Sequence, residues 1–180
     1  MVWSCAFSPD GARLLSAGED GGLRLWDAAS GETLATLRGH QGMVWSCAFS
    51  PDGARLLSAG DDGGLRLWDA ASGETLATLR GHEGGVRSCA FSPDGARLLS
   101  SGLDGSLRLW DAASGELLRV HAPLPGDSYA VWEAREQRIV AIGGEAWRWL
   151  GWQLSDDDGQ PTLLPLEAFA ALPTPPSARP

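Results

Sequence analysis

His40, Ser58 and Asp62 recur as His82, Ser100 and Asp104, each 42 residues further along the chain. Serine, histidine and aspartate are the residue types of a nucleophilic hydrolase triad, in which the imidazole takes the serine proton and the carboxylate orients the imidazole. The recurrence argues against that chemistry. A catalytic centre is normally singular, and the chain contains no Gly-x-Ser-x-Gly turn to strain and expose a nucleophile. Cys5, Cys47 and Cys89 repeat with the same spacing, each after Val-x-Ser. Equivalent positions of successive units stand too far apart for a disulfide, and the count is odd. The expectation is three reduced, buried thiols in a cytoplasmic protein. No His or Cys cluster has metal-ligand spacing, so no metal or cofactor is expected. The three carboxylates of "SDDDG" (Ser155–Gly159) read as a solvated turn rather than a calcium loop.

The elements that carry these residues repeat as well. Val2–Met43 and Val44–Gly85 differ at three positions only, Glu19/Asp61, Gln41/Glu83 and Met43/Gly85, and a third copy runs from Val86 to about Leu118. Each unit reads as four short strands. In the first, "VWSCAF" (Val2–Phe7) ends in "SPDG", where proline presets φ and glycine takes a positive φ. "ARLLSAG" (Ala12–Gly18) follows, then a tight Asp-Gly turn, then "LRLWD" (Leu23–Asp27) and "TLATLR" (Thr33–Arg38). Such a small antiparallel sheet cannot stand alone, and a 42-residue unit of this kind fits a propeller blade packed on its neighbours.

Composition sets further bounds. The chain has 180 residues, is 43% hydrophobic and 21% charged, and carries a formal net charge of -9 with all 14 of its Lys+Arg residues arginine. An acidic chain lacks the basic face that nucleic acid or an anionic membrane surface requires. No apolar run reaches the roughly 20 residues of a membrane helix, and the start reads as no signal peptide. The absence of lysine beside abundant Ala, Arg, Gly and Pro points to a GC-rich coding sequence and a bacterial source, and the near-identical copies to recent duplication.

At these residues the chain resembles the WD40-repeat β-propeller family. "LRLWD" at Leu23, Leu65 and Leu107 is similar to its terminal Trp-Asp, "RGH" at Arg38 and Arg80 to its Gly-His, and "AFSPDG" recurs at Ala6, Ala48 and Ala90. The resemblance is strong over Val2–Leu118 and weak beyond. It implies an all-β propeller of four-stranded antiparallel blades, each with a buried tetrad of His, Ser, Asp and Trp. Carried over residue by residue, the tetrads are His40, Ser58, Asp62, Trp68 and His82, Ser100, Asp104, Trp110. The first unit has Ser16, Asp20 and Trp26 without a preceding Gly-His, and in the fourth Leu124 stands 42 residues after His82. The chemistry agrees, since a buried imidazole needs both nitrogens satisfied and an indole N–H needs an acceptor.

The resemblance also implies which residues reach the top face: Trp3, Trp45 and Arg87; Met1, Met43 and Gly85; Glu19, Asp61 and Leu103. Exposed Trp, Met and Arg anchor protein interfaces, and a neighbouring carboxylate adds steering. The expected function is a non-enzymatic scaffold that binds a protein or peptide there. A simpler use of Trp3 and Trp45 is to stack on each other. The alternative function is that of a structural fragment, or half-propeller, of a longer amplified array with no ligand of its own.

The expected domain is a partial propeller over 1–172, with blades at about 2–43, 44–85, 86–127 and a degenerate fourth at 128–172, followed by a disordered Pro-rich tail at 173–180. In the fourth unit, strands are expected at Ser128–Ala134, Arg138–Gly144 and Ala146–Leu154, with strand or helix for Thr162–Leu172 and Trp132, Trp147, Trp149 and Trp152 packed on the third blade. About four blades make half a ring with two open apolar faces. A homodimer about a two-fold axis closes it to eight blades, and a self-closed four-bladed monomer is the alternative.

Overall fold

The computed structural model describes residues 1–124, 126–144, 151–155 and 161–165, the last two stretches as strands. Two compact units make up the chain, Met1–Arg119 and Val120–Pro180. The first is built from three four-stranded antiparallel sheets in chain order. Sheet one holds β1 (Val2–Phe7), β2 (Arg13–Gly18), β3 (Gly22–Asp27) and β4 (Thr33–Arg38). Sheet two holds β5 (Val44–Phe49), β6 (Arg55–Gly60), β7 (Gly64–Asp69) and β8 (Thr75–Arg80). Sheet three holds β9 (Val86–Phe91), β10 (Arg97–Gly102), β11 (Leu107–Asp111) and β12 (Leu117–Leu124), the last crossing into the second unit.

The turns form as their residues dictate. In the first, Gly11 takes φ 71° and its N–H donates to the Ser8 carbonyl at 2.9 Å, while Asp10 accepts the Ala12 N–H at 3.0 Å. This joins β1 to β2, and the same arrangement returns at Gly53 and Gly95.

The alternation of side chains along each strand gives every sheet two apolar faces, and burying them holds the unit together. The leading face of sheet one (Leu15, Ala17, Leu23, Leu25, Leu37) packs on the rear face of sheet two (Val44, Cys47, Leu56, Trp68, Ala70). The leading face of sheet two (Leu57, Ala59, Leu65, Leu67, Leu79) packs in the same way on sheet three (Val86, Cys89, Leu98, Trp110, Ala112). Each fully buried leucine is worth roughly 1.5–3 kcal/mol. Polar stitches fix the alignment: the Cys47 N–H donates to Ser4 Oγ at 3.1 Å and the Cys89 N–H to Ser46 Oγ at 3.2 Å.

The rear face of sheet one is the exception. Val2 and Phe7 are 63% and 70% exposed, whereas Val44 and Val86 are 0% exposed. Cys5 lies on that face, so the expectation of three buried thiols is corrected: Cys47 and Cys89 are buried and Cys5 is exposed, because no earlier sheet covers it. All three are free thiols.

In the second unit β13 (Ser128–Glu133) pairs with β14 (Arg138–Gly143), and β15 (Gly151–Ser155) pairs with β16 (Pro161–Pro165) as a two-stranded sheet of its own. Gln137, 42 residues after Gly95, takes φ 48° where the earlier copies have glycine. Pro165 ends β16, a strand of a two-stranded sheet and so an edge, where proline is tolerated. The carboxylates of Asp156–Asp158, the side chains of Trp147, Trp149 and Trp152, the segment Leu166–Leu172 and the tail 173–180 lie outside the described residues.

Candidate functional site

The two expected tetrads are each brought together. In sheet two, His40 Nε2 lies 2.7 Å from Ser58 Oγ and His40 Nδ1 lies 2.8 Å from Asp62 Oδ1, while the Trp68 indole N–H donates to Ser58 Oγ at 2.9 Å. In sheet three the corresponding distances are 2.8 Å (His82–Ser100), 3.0 Å (His82–Asp104) and 2.9 Å (Trp110–Ser100). One direction of donation satisfies every atom: indole to hydroxyl, hydroxyl to a neutral imidazole, imidazole to carboxylate. Burial pushes the His40 imidazole below its ordinary value, against the opposing pull of Asp62, which keeps it neutral. Burial alone would raise the Asp62 carboxyl; the hydrogen bond from His40 and the backbone N–H groups of Gln41 and Gly64 outweigh it and hold it low. The same balance holds Asp104 low.

Serine, imidazole and carboxylate are thus connected as in a hydrolase. What separates this arrangement from a nucleophile is access. Ser58 and Ser100 are buried, and each hydroxyl oxygen is already capped by an indole N–H. No substrate carbonyl reaches them, and each set ties the connection that carries its histidine to the sheet that follows.

Sequence reasoning passed over one member. Ser106 stands where the earlier copies have Gly22 and Gly64. Its hydroxyl donates to Asp104 Oδ1 at 2.9 Å, lies 3.3 Å from His82 Nδ1 and accepts the Arg108 Nε–H at 3.2 Å. In sheet two, with Gly64 at that place, Arg66 Nε is buried without a partner. The signal was the glycine-to-serine difference between copies, beside an arginine. In sheet one, Trp26 donates to Ser16 Oγ at 2.9 Å, and Asp20 pairs with Arg24 in place of an imidazole.

The expected top-face residues gather at one rim. Across from Gly18, Gly60 and Gly102 the ladders skip one residue, and the residue skipped is Trp3, Trp45 or Arg87. A bulge re-aims the side chain of its extra residue, so these three leave the sheet at equivalent points. At the same rim the Glu19, Asp61 and Leu103 N–H groups donate to the carbonyls of Met1, Met43 and Gly85, each at 2.9 Å. The Trp3 and Trp45 rings lie 4.9 Å apart at 40°. The Arg87 guanidinium sits 3.9 Å from the Trp45 ring centroid and 3.8 Å from Asp61 Oδ1, and the Trp45 indole N–H donates to Asp61. Trp3, Trp45, Arg87 and Asp61 therefore form one continuous column across three sheets. Glu19 instead meets the Met1 amino group at 3.0 Å, and Leu103 stands exposed beside Gly85. Trp3, 42% exposed, is the open end of the column.

Among the described residues no group of His, Cys, Asp and Glu is placed to hold a metal ion, and no helix is long and apolar enough to cross a membrane.

The WD domain, G-beta repeat family model matches residues 1–27, 31–69 and 73–111. WD repeat-containing protein 86 of Homo sapiens is 53% identical over 36 residues, which cover 20% of this chain and 10% of that protein. The structure of U3-55K superposes with a TM-score of 0.66 at 22% identity, over 78% of this chain and 51% of that one, a likeness of fold alone. This chain therefore spans a tenth of the length of the curated relative and about half of the solved structure.

Proposed function

Because this chain belongs to the WD40 repeat family, we propose that it is a non-enzymatic scaffold that binds a protein or peptide at the bulge rim. The observation that carries this reading is the column of Trp3, Trp45 and Arg87. Three sheets each spend a bulge to turn a large interface-type side chain out of the ladder at the same point. Asp61 holds Trp45 and Arg87 in place, so little side-chain freedom is lost on binding. The stacking of the two indoles is compatible with this role, since Trp3 keeps an open flank.

The test is capture of peptides from a random-sequence display library on the immobilised chain. Trp3→Ala and Arg87→Ala are expected to lower affinity for the selected peptides at least tenfold with the thermal midpoint nearly unchanged. Binding that ignores both substitutions overturns the reading. The same proposal includes a ring completed by a second copy about a two-fold axis. Such a ring has eight blades, four from each copy, and a self-closed four-bladed monomer is the alternative. The open rear face of sheet one also favours the alternative of a segment from a longer array. A chain that selects no peptide above background supports that alternative.

A further inference from the structure

We propose that the side chain recognised at the bulge rim is a partner's arginine, which stacks on the open flank of Trp3 and pairs with Glu19. This rests on the reading that the rim binds a protein or peptide, and it names the anchoring group.

The chain makes one such contact for itself. The Arg87 guanidinium lies 3.9 Å from the Trp45 ring centroid and 3.8 Å from Asp61 Oδ1, and the Trp45 indole N–H donates to the same oxygen. An aromatic face is electron-rich and attracts a cation, and a planar guanidinium can lie on it while pairing with a carboxylate. Residue types along the rim follow this rule. Trp3 goes with Glu19 and Trp45 with Asp61, whereas Arg87 goes with Leu103. Each sheet that offers an indole has a carboxylate at the turn, and the sheet that supplies the cation has none there. Sheet one therefore repeats the indole and the carboxylate without the guanidinium. What reaches Trp3 from sheet two is the Trp45 ring, 4.9 Å away, and an indole does not neutralise Glu19. Glu19 takes the Met1 amino group instead, at 3.0 Å, with the two groups 60% and 66% exposed. A cation is thus already accepted at this carboxylate, in an exposed contact that is weak enough for a partner to replace. The adjacent Asp20 is taken by Arg24. Trp3, 42% exposed, keeps its outer flank open, so the column is capped by an arginine at sheet three and uncapped at sheet one. All of these residues lie within the first unit. The formal net charge of -9 draws a basic segment to the rim and repels an acidic one. An ammonium lacks the planar face that stacks, which selects arginine over lysine.

Peptides selected from a random-sequence display library on the immobilised chain, then titrated by calorimetry, test this. The selected peptides are expected to share an arginine. Replacing that arginine by citrulline, which keeps the shape and removes the charge, is expected to lower affinity at least tenfold. Glu19→Gln and Trp3→Ala change exposed side chains, so both variants are expected to fold, with circular dichroism like that of the parent. Trp3→Ala is expected to weaken the arginine peptide at least tenfold. Glu19→Gln is expected to weaken the arginine peptide and leave its citrulline analogue unaffected, a difference that a merely structural role for Glu19 would not produce. Peptides that depend on Trp3 yet share no arginine, or bind as well with citrulline, overturn this inference and leave the rim reading standing. So does a Glu19→Gln variant with parental affinity for the arginine peptide. A library that yields no binder, or binders indifferent to both Trp3→Ala and Arg87→Ala, overturns the rim reading and this inference together.

Discussion

Two nearly identical tetrads allow single atoms to be compared inside one molecule. Ser106 gives Arg108 Nε an acceptor, and the lack of a hydroxyl at Gly64 leaves Arg66 Nε buried and unpaired. A buried unsatisfied donor costs about 1–3 kcal/mol. A Cβ at Gly64 would meet Asp62 Oδ1 at 3.5 Å and the Leu79 carbonyl at 3.8 Å, both ordinary contacts. Gly64→Ser is therefore expected to stabilise the fold by about 1 kcal/mol, read as a raised urea midpoint with unchanged slope. The neutral imidazole makes a second prediction. The folded state holds His40 below its ordinary value of 6.5, so as pH falls the unfolded chain takes up that proton first. Stability contributed by His40 is complete above about pH 6.5 and is lost as pH drops below it. Asp62, also held low, adds a further loss below its ordinary value of 3.8. The urea midpoint is expected to be lower at pH 5.5 than at pH 7.5, and an equal midpoint contradicts a buried neutral His40.

At the scale of the strand, the bulges link the tetrads to the rim. Skipping one residue opposite Gly60 brings the Met43 carbonyl and the His40 ring against the end of β6. A Cβ at Gly60 would lie 2.8 Å from His40 Nδ1 and 3.0 Å from the Met43 carbonyl oxygen; at Gly102 it would lie 2.5 Å from His82 Nδ1. Glycine is required at both places by close approach. Gly60→Ala is expected to cost about 2–3 kcal/mol in chemical denaturation, since either the bulge or the imidazole must shift. An alanine tolerated without loss would show that the bulge and the tetrad move independently. The same coupling places Trp45 beside Asp61, so the rim proposed to bind and the tetrad share one backbone.

For the whole molecule the decisive feature is that a face buried in the second and third sheets, where Val44 and Val86 are 0% exposed, stands open in the first, where Val2 is 63% exposed. The thiols report on this. Burial pushes Cys47 up to about 11 and Cys89 up to about 12, so both are protonated and shielded at neutral pH. In the single folded chain, iodoacetamide is expected to modify Cys5 and spare the other two until the protein unfolds, and equal rates at all three contradict the burial of Cys47 and Cys89. Much of this architecture was legible beforehand, because local chemistry sets it: the 42-residue period, the Asp-Gly turns and the alternating apolar strands of the first three units need only nearby residues to declare themselves. The tetrads were legible through the resemblance to the WD40 family, whose motif residues stand here at His40, Ser58, Asp62 and Trp68 and again 42 residues on. The bulges at Trp3, Trp45 and Arg87, the service of Ser106 to Arg108, and the exposure of Cys5 were not. Identical residues in identical local settings, Val2 and Val44 or Cys5 and Cys47, differ only in whether another sheet lies across them. Burial between sheets is a property of neighbours distant in sequence, so the sequence by itself determined the blade, and only the tertiary structure decided which blade faces are left open.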